Sequence, residues 1–281
     1  MNVLVASIHT KGTKMLDMFE FSFFQNAFLA SIFISLACGI IGSLVMINRL
    51  FSMAGGITHG AFGGIGLAFY FSLPLLLCTS IFTLFLALIV AFLSKRFPHR
   101  SDNFIAVIWA FGMALGLILI DLSAGYKSDL MAYLFGSILA VSSADLWLIF
   151  GANCLFIVLV LAFYRQFVAI SFDQEFALLR GVNTNFFYYL LICMIAFCIV
   201  ICMRCVGLIL IIALLSFPCF IAEYFTQKLL KMMALASLLS FIFCFLGLIL
   251  SFVLNLSSSA SIIMIACLAF VLVFIVKRRK N

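Results

Sequence analysis

The chain has 281 residues, of which 67% are hydrophobic and 9% charged, with a formal net charge of +7. A water-soluble domain with so few polar residues could not cover its own surface, so lipid is the solvent for most of this chain. Its basic residues sit in short clusters between apolar runs, which excludes the continuous basic stripe that a nucleic-acid partner would require.

Residues 1–20 form a mixed N-terminal segment, with Lys11 and Lys14 ahead of Asp17 and Glu20 and without the apolar core of a cleavable leader. Apolar runs follow at about 21–47, 52–72, 75–93, 104–121, 145–164, 186–203, 205–222, 232–254 and 260–276. A crossing takes roughly 20 helical residues, so each run is long enough, or nearly so, to span a bilayer. The runs lack the period-2 alternation of an outer-membrane barrel. The predicted fold is an all-α polytopic membrane protein, one integral domain over 1–281 built as a bundle of about 8–9 transmembrane helices.

Charge sets the orientation. With the first span running outside to inside, one set of loops carries Arg49, Lys95, Arg96, Arg100, Arg165, Arg180, Lys228, Lys231 and the tail Lys277, Arg278, Arg279 and Lys280. The opposite set carries only Lys11, Lys14, Lys127 and Arg204. The positive-inside rule then places the C-terminus in the cytoplasm. If residues 1–20 instead pack along the cytoplasmic face, the number of spans becomes even.

Two segments are neither spans nor simple loops. Asp129 to Ser137 follows a polar turn and is too short to cross before Asp145, so it is expected to lie as a short helix at the external surface or to re-enter. The segment 165–185 falls on the cytoplasmic side and contains Ser171 to Asn185, "SFDQEFALLRGVNTN". Asp173 and Glu175 mark the start of a short helix and Gly181 lies just past its end. Pattern alone reads this either as a solvated connector or as a docking surface.

The ten cysteines lie mostly within the spans, where a thiol behaves as a small apolar group. Cys202 and Cys205 form a C-x-x-C, one turn after Cys198. Without a second pair or histidines this is packing before it is redox or metal chemistry.

The stretch "SMAGGITHGAFGGIGLA", Ser52 to Ala68, is the most informative. Ser52, Gly56, Gly60, Gly64 and Ala68 recur every fourth residue, a small-residue stripe that lets helices approach closely in lipid. His59 lies beside that stripe, on the face shared with Gly55 and Gly63, and is the only histidine within a span. An ionisable residue there is a functional hypothesis by default. A neutral imidazole suits zinc and other transition metals; the alternative is a ring hydrogen-bonded to a neighbouring helix carbonyl.

Several of these stretches resemble the permease subunits of zinc, manganese and iron ABC importers, over about Phe24 to Lys277. "DLMAYLFGSILAVSSADL" is the most specific; "INRLFSMAGGITHGAFGGIGLAF", "SFDQEFALLRGV" and "RCVGLILIIALLSFPCFIA" follow the family's other motifs in the same chain order. The resemblance implies a bacterial cytoplasmic-membrane permease, working as two copies that enclose a central path. It further implies two cytoplasmic ATP-binding subunits and an external metal-binding protein as partners. His59 matches the family's histidine in the translocation path. Phe172, Asp173, Glu175, Ala177 and Gly181 match its ATPase-docking segment. No cofactor is expected to reside in the chain; the metal is cargo. Hydrolysis belongs to the partner, because this chain carries no G-x-x-x-x-G-K-[ST] loop.

The sequence also departs from the family pattern. Gly55 stands where an acid commonly precedes the histidine by one turn, Gln174 replaces the proline after Asp173, and Asn255 to Ser259 replaces a proline- and glycine-containing motif. Without a hard oxygen ligand the donor set leans from manganese toward zinc. A permease for a metal chelate shares the docking features but needs a wider path. An intramembrane enzyme would need a cluster such as H-E-x-x-H, which the sequence lacks.

Overall fold

The computed structural model describes residues 22–123 and 136–278, the last two by their backbone alone. The helices are α1 (Ser22–Ile47), α2 (Phe51–Gly60), α3 (Phe62–Tyr70), α4 (Leu75–Arg96), α5 (Ser101–Leu122), α6 (Ser143–Ala162), α7 (Tyr164–Phe172), α8 (Gln174–Leu179), α9 (Thr184–Val206), α10 (Leu208–Phe225), α11 (Leu229–Leu254) and α12 (Ser258–Arg278). Eight helical stretches among the described residues are long and apolar enough to cross a membrane. The chain is a multi-pass helical membrane protein, as its composition demands. The N-terminal segment 1–20, nearly all of the Asp129 to Ser137 stretch and the end of the basic tail lie outside the described residues.

One expected span differs. The run over 52–72 is two helices, α2 and α3, meeting at Ala61. The Ala61 carbonyl accepts from Gly64 N–H at 3.0 Å and from Ile65 N–H at 3.4 Å, so the chain tightens there. Gly60, Gly63 and Gly64 flank the break, and glycine is a poor helix former. Residues 51–70 together still reach about 30 Å at the helical rise, one bilayer core.

The core is built on α1 and α9, the most enclosed of the spans. Helix α1 packs against α11, α10 and α6, while α9 packs on α4. Aliphatic residues such as Ile34, Ile41, Leu44, Ile192 and Ile195 are fully buried between them. A polar group also joins the helices: Asn153 of α6 donates from Nδ2 to the Phe33 carbonyl of α1 at 2.9 Å and to Ile149 at 3.0 Å. Interhelical hydrogen bonds in membranes contribute about 0.6–2 kcal/mol. Asn153→Ala is therefore expected to cost about 1 kcal/mol, read as a lowered unfolding temperature of the purified protein. The effect stays modest because Asn153 Oδ1 is already buried without a partner.

At the end of the bundle opposite α8, Ser142 and Asp145 form a capping box that starts α6, and Asp145 Oδ1 lies 2.8 Å from Arg204 Nε in the last turn of α9. Gly207, at φ 82°, reverses the chain from α9 into α10. All ten cysteines are free; Cys198, Cys202 and Cys205 are buried in α9.

Candidate translocation and docking sites

His59 sits in the last turn of α2, just before the break at Ala61. Its ring is half-buried, and Nδ1 is buried with no hydrogen-bond partner. This leaves the carbonyl-bonded alternative without support at that nitrogen. On the side of Gly55 the space is open: a Cβ built there meets nothing within 4 Å. On another side the ring stacks on Trp109 of α5, with centroids 4.2 Å apart and planes 9° from parallel. The indole Nε1–H in turn points at Met113 Sδ, 3.2 Å away.

What brings Trp109 to His59 is close helix packing. Helices α2 and α3 run parallel to α5. A Cβ on Gly112 would lie 2.5 Å from the Gly60 Cα, and one on Gly116 would lie 2.5 Å from the Phe62 carbonyl oxygen. Gly56 packs on Ile105 and Gly64 on Thr79 and Phe82 of α4. Ala68 is buried. Ser52, the first member of the stripe, is instead exposed and lines a cavity of about 340 Å³ with Arg49, Lys95, Asp102 and Gln174.

Gly112, Gly116, Trp109 and Met113 were not singled out by sequence reasoning. The spacing Gly112-x-x-x-Gly116 carries the same small-residue signal as the α2 stripe and could have been found. The stacking of Trp109 had no local signal.

The segment 165–185 holds two helices. Helix α7 ends at Phe172, and Asp173 adopts an extended conformation and caps α8, its Oδ1 accepting from Phe176 N–H at 2.9 Å. The helix closes with Gly181 at φ +79°, where Gly181 N–H bonds Leu178 O and Val182 N–H bonds Ala177 O, both at 3.0 Å. This Schellman closure needs a left-handed residue, which glycine supplies without steric cost. Ala177 is fully buried, so it seats α8 and cannot itself touch a partner. The outer face carries Phe172 (69% exposed), Phe176, Leu178 and Leu179 (88%), with Arg180 stacked over the Phe176 ring at 5.0 Å. Glu175 is exposed in the first turn. Behind it, Asn48 Nδ2 in the turn between α1 and α2 donates to Ser171 Oγ at 3.0 Å, joining the segment 165–185 to the base of the helix that bears His59.

The described residues thus form a polytopic bundle with a broken, histidine-bearing helix and a capped helix presenting an exposed apolar face, and comparison with known proteins shows its class to be that of membrane transport permeases. Residues 20–277 match the ABC 3 transport family, and the chain belongs to that family. It is 45% identical over 258 residues to an uncharacterized membrane protein of Synechocystis, covering 92% of each chain. It is 30% identical over 256 residues to the manganese transport system membrane protein MntC of Listeria monocytogenes, covering 91% of each. Among solved structures it resembles PsaBC from Streptococcus pneumoniae in complex with Fab, with a TM-score of 0.84 and 29% identity over 92% of this chain and 95% of that one.

Proposed function

We propose that this chain is the membrane subunit through which an ATP-driven importer passes a divalent transition metal ion into the cytoplasm. The observation that carries this reading is His59: a half-buried imidazole within the spans, with a buried, unpartnered nitrogen beside open space. Membership of the ABC 3 transport family supplies the class of machine. The chain works as two copies, with a separate ATP-binding subunit seated on each α8 and an external metal-binding protein delivering the ion. The C-terminus faces the cytoplasm, on the side to which the basic loops belong.

Two ions fit. Manganese is supported by relatives named for manganese transport. Zinc is supported by the donors, since imidazole suits it and Gly55 withholds the oxygen ligand that manganese prefers. Among the described residues, no group of three or more His, Cys, Asp or Glu side chains could hold a metal ion. A sparse site is consistent with transport, because a closed cage would retain the ion.

The test is uptake by proteoliposomes holding the assembled transporter, at limiting metal. His59→Gln is expected to lower uptake about tenfold or more, with expression and ATPase association unchanged. Undiminished uptake would remove His59 from the path. Radioactive manganese challenged with zinc, and the converse, ranks the two ions by their inhibition constants.

A further inference from the structure

We infer that Trp109 is a positioning residue for His59, holding the imidazole by its face so that a ring nitrogen is presented to the passing ion. The inference rests on the reading of His59 as the path residue. A metal-binding histidine is normally oriented by a hydrogen bond from its second nitrogen to a carboxylate or carbonyl. Here Nδ1 has no such partner, and the contact that fixes the ring plane is the stack on Trp109, 4.2 Å between centroids and 9° from parallel. The indole is fixed in its turn. Its Nε1–H is taken up by Met113 Sδ at 3.2 Å, one turn along the same helix. Its backbone is held by the adjacent contacts of Gly56 with Ile105 and of Gly60 with Gly112.

The chemistry of the pair favours an ion-loaded ring. An imidazole bound to a divalent cation carries part of its positive charge, and the electron-rich face of an indole stabilises a cation, more so where water is scarce. The open side at Gly55 leaves an approach that the indole does not cover. Trp109 is 42% exposed, so the pair lies at the edge of the bundle.

The chain has two tryptophans, and the other, Trp147, is on α6. Trp147→Phe therefore makes Trp109 the only fluorescent indole. In the full chain purified into nanodiscs, zinc chloride and manganese chloride titrations are expected to change this emission saturably, and His59→Gln is expected to abolish the change. In the assembled transporter, Trp109→Ala is expected to raise the apparent KM for metal about three- to thirtyfold while leaving kcat within about twofold. Trp109→Phe, which keeps a stacking face, restores most of the affinity. An emission change that survives His59→Gln, or a KM untouched by Trp109→Ala in a transporter that His59→Gln inactivates, overturns the inference while sparing His59. Uptake indifferent to His59→Gln overturns both. The titration needs no Trp109 variant, so even if Trp109→Ala fails to reach the membrane, a flat emission or one that survives His59→Gln overturns the inference, and the KM of Trp109→Phe against that of the parent then reads the positioning.

Discussion

Gly112→Val is expected to remove folded protein from the membrane. A Cβ at this position would lie 2.5 Å from the Gly60 Cα and 2.6 Å from the Gly60 carbonyl oxygen. Both are backbone atoms, which no rotamer change can move aside. Relief requires α5 to separate from α2 by more than an ångström. In lipid no hydrophobic force draws helices back together, since acyl chains are as apolar as leucine; packing and hydrogen bonds hold them. Overpacking against backbone costs about 3 kcal/mol or more, a large share of the stability of a typical domain. Separation would also lift Trp109 off His59, so any protein that survives should transport poorly. Gly55→Ala is the matched control: nothing lies within 4 Å of its added methyl group, and as an unclashing exchange inside a helix it should hold stability or raise it by up to about 1 kcal/mol. The yield of monodisperse protein and its unfolding temperature in detergent measure both variants. Equal behaviour of the two would show that the contact between α2 and α5 does not hold the bundle together.

The second large effect is expected at α8. If this helix seats the ATP-binding subunit, the apolar side chains Leu179 and Phe172, at 88% and 69% exposure, are the anchors. Buried anchors at interfaces commonly contribute 2 kcal/mol or more, about thirtyfold in affinity. Leu179→Ala and Phe172→Ala should therefore each weaken capture of the ATPase subunit by about thirtyfold. Asp173→Ala acts differently, removing the cap from a helix of six residues. Losing a cap costs about 1 kcal/mol, enough to fray α8 and weaken docking without touching the interface. Glu175→Gln, with its exposed and unshared charge, should change affinity by less than about threefold. Pull-down of the ATPase subunit by the full-length permease, with metal-stimulated hydrolysis as a second readout, ranks the four variants. A ranking in which Glu175→Gln is the most damaging would make the interface electrostatic and the apolar anchors incidental.

Much of this architecture is legible in the amino acids. Eight of the nine apolar runs match long helices within a few residues, because a bilayer crossing demands a length of apolar helix; the run over 52–72, broken at Ala61, is the exception. The start and stop of α8 are legible as well, since Asp173 and Gly181 act on their immediate neighbours in the chain. His59 stands out for an equally local reason: an ionisable ring is conspicuous in a stretch where, Thr58 apart, the neighbours are glycine or apolar. These features depend on composition and on contacts within a turn or two.

What only the tertiary structure decided is which side of each helix faces what. A soluble helix advertises its buried face through an apolar stripe, but helices apolar all round carry no such mark. The pairing of Gly60 with Gly112, the exposure of Ser52, the burial of Ala177 and the stack of Trp109 on His59 are contacts between segments distant in the chain. Hydropathy is uniform on both sides of these helices, so it cannot predict such contacts. Their cause is steric: two glycines allow two backbones to meet, and that approach carries one particular indole onto one particular imidazole.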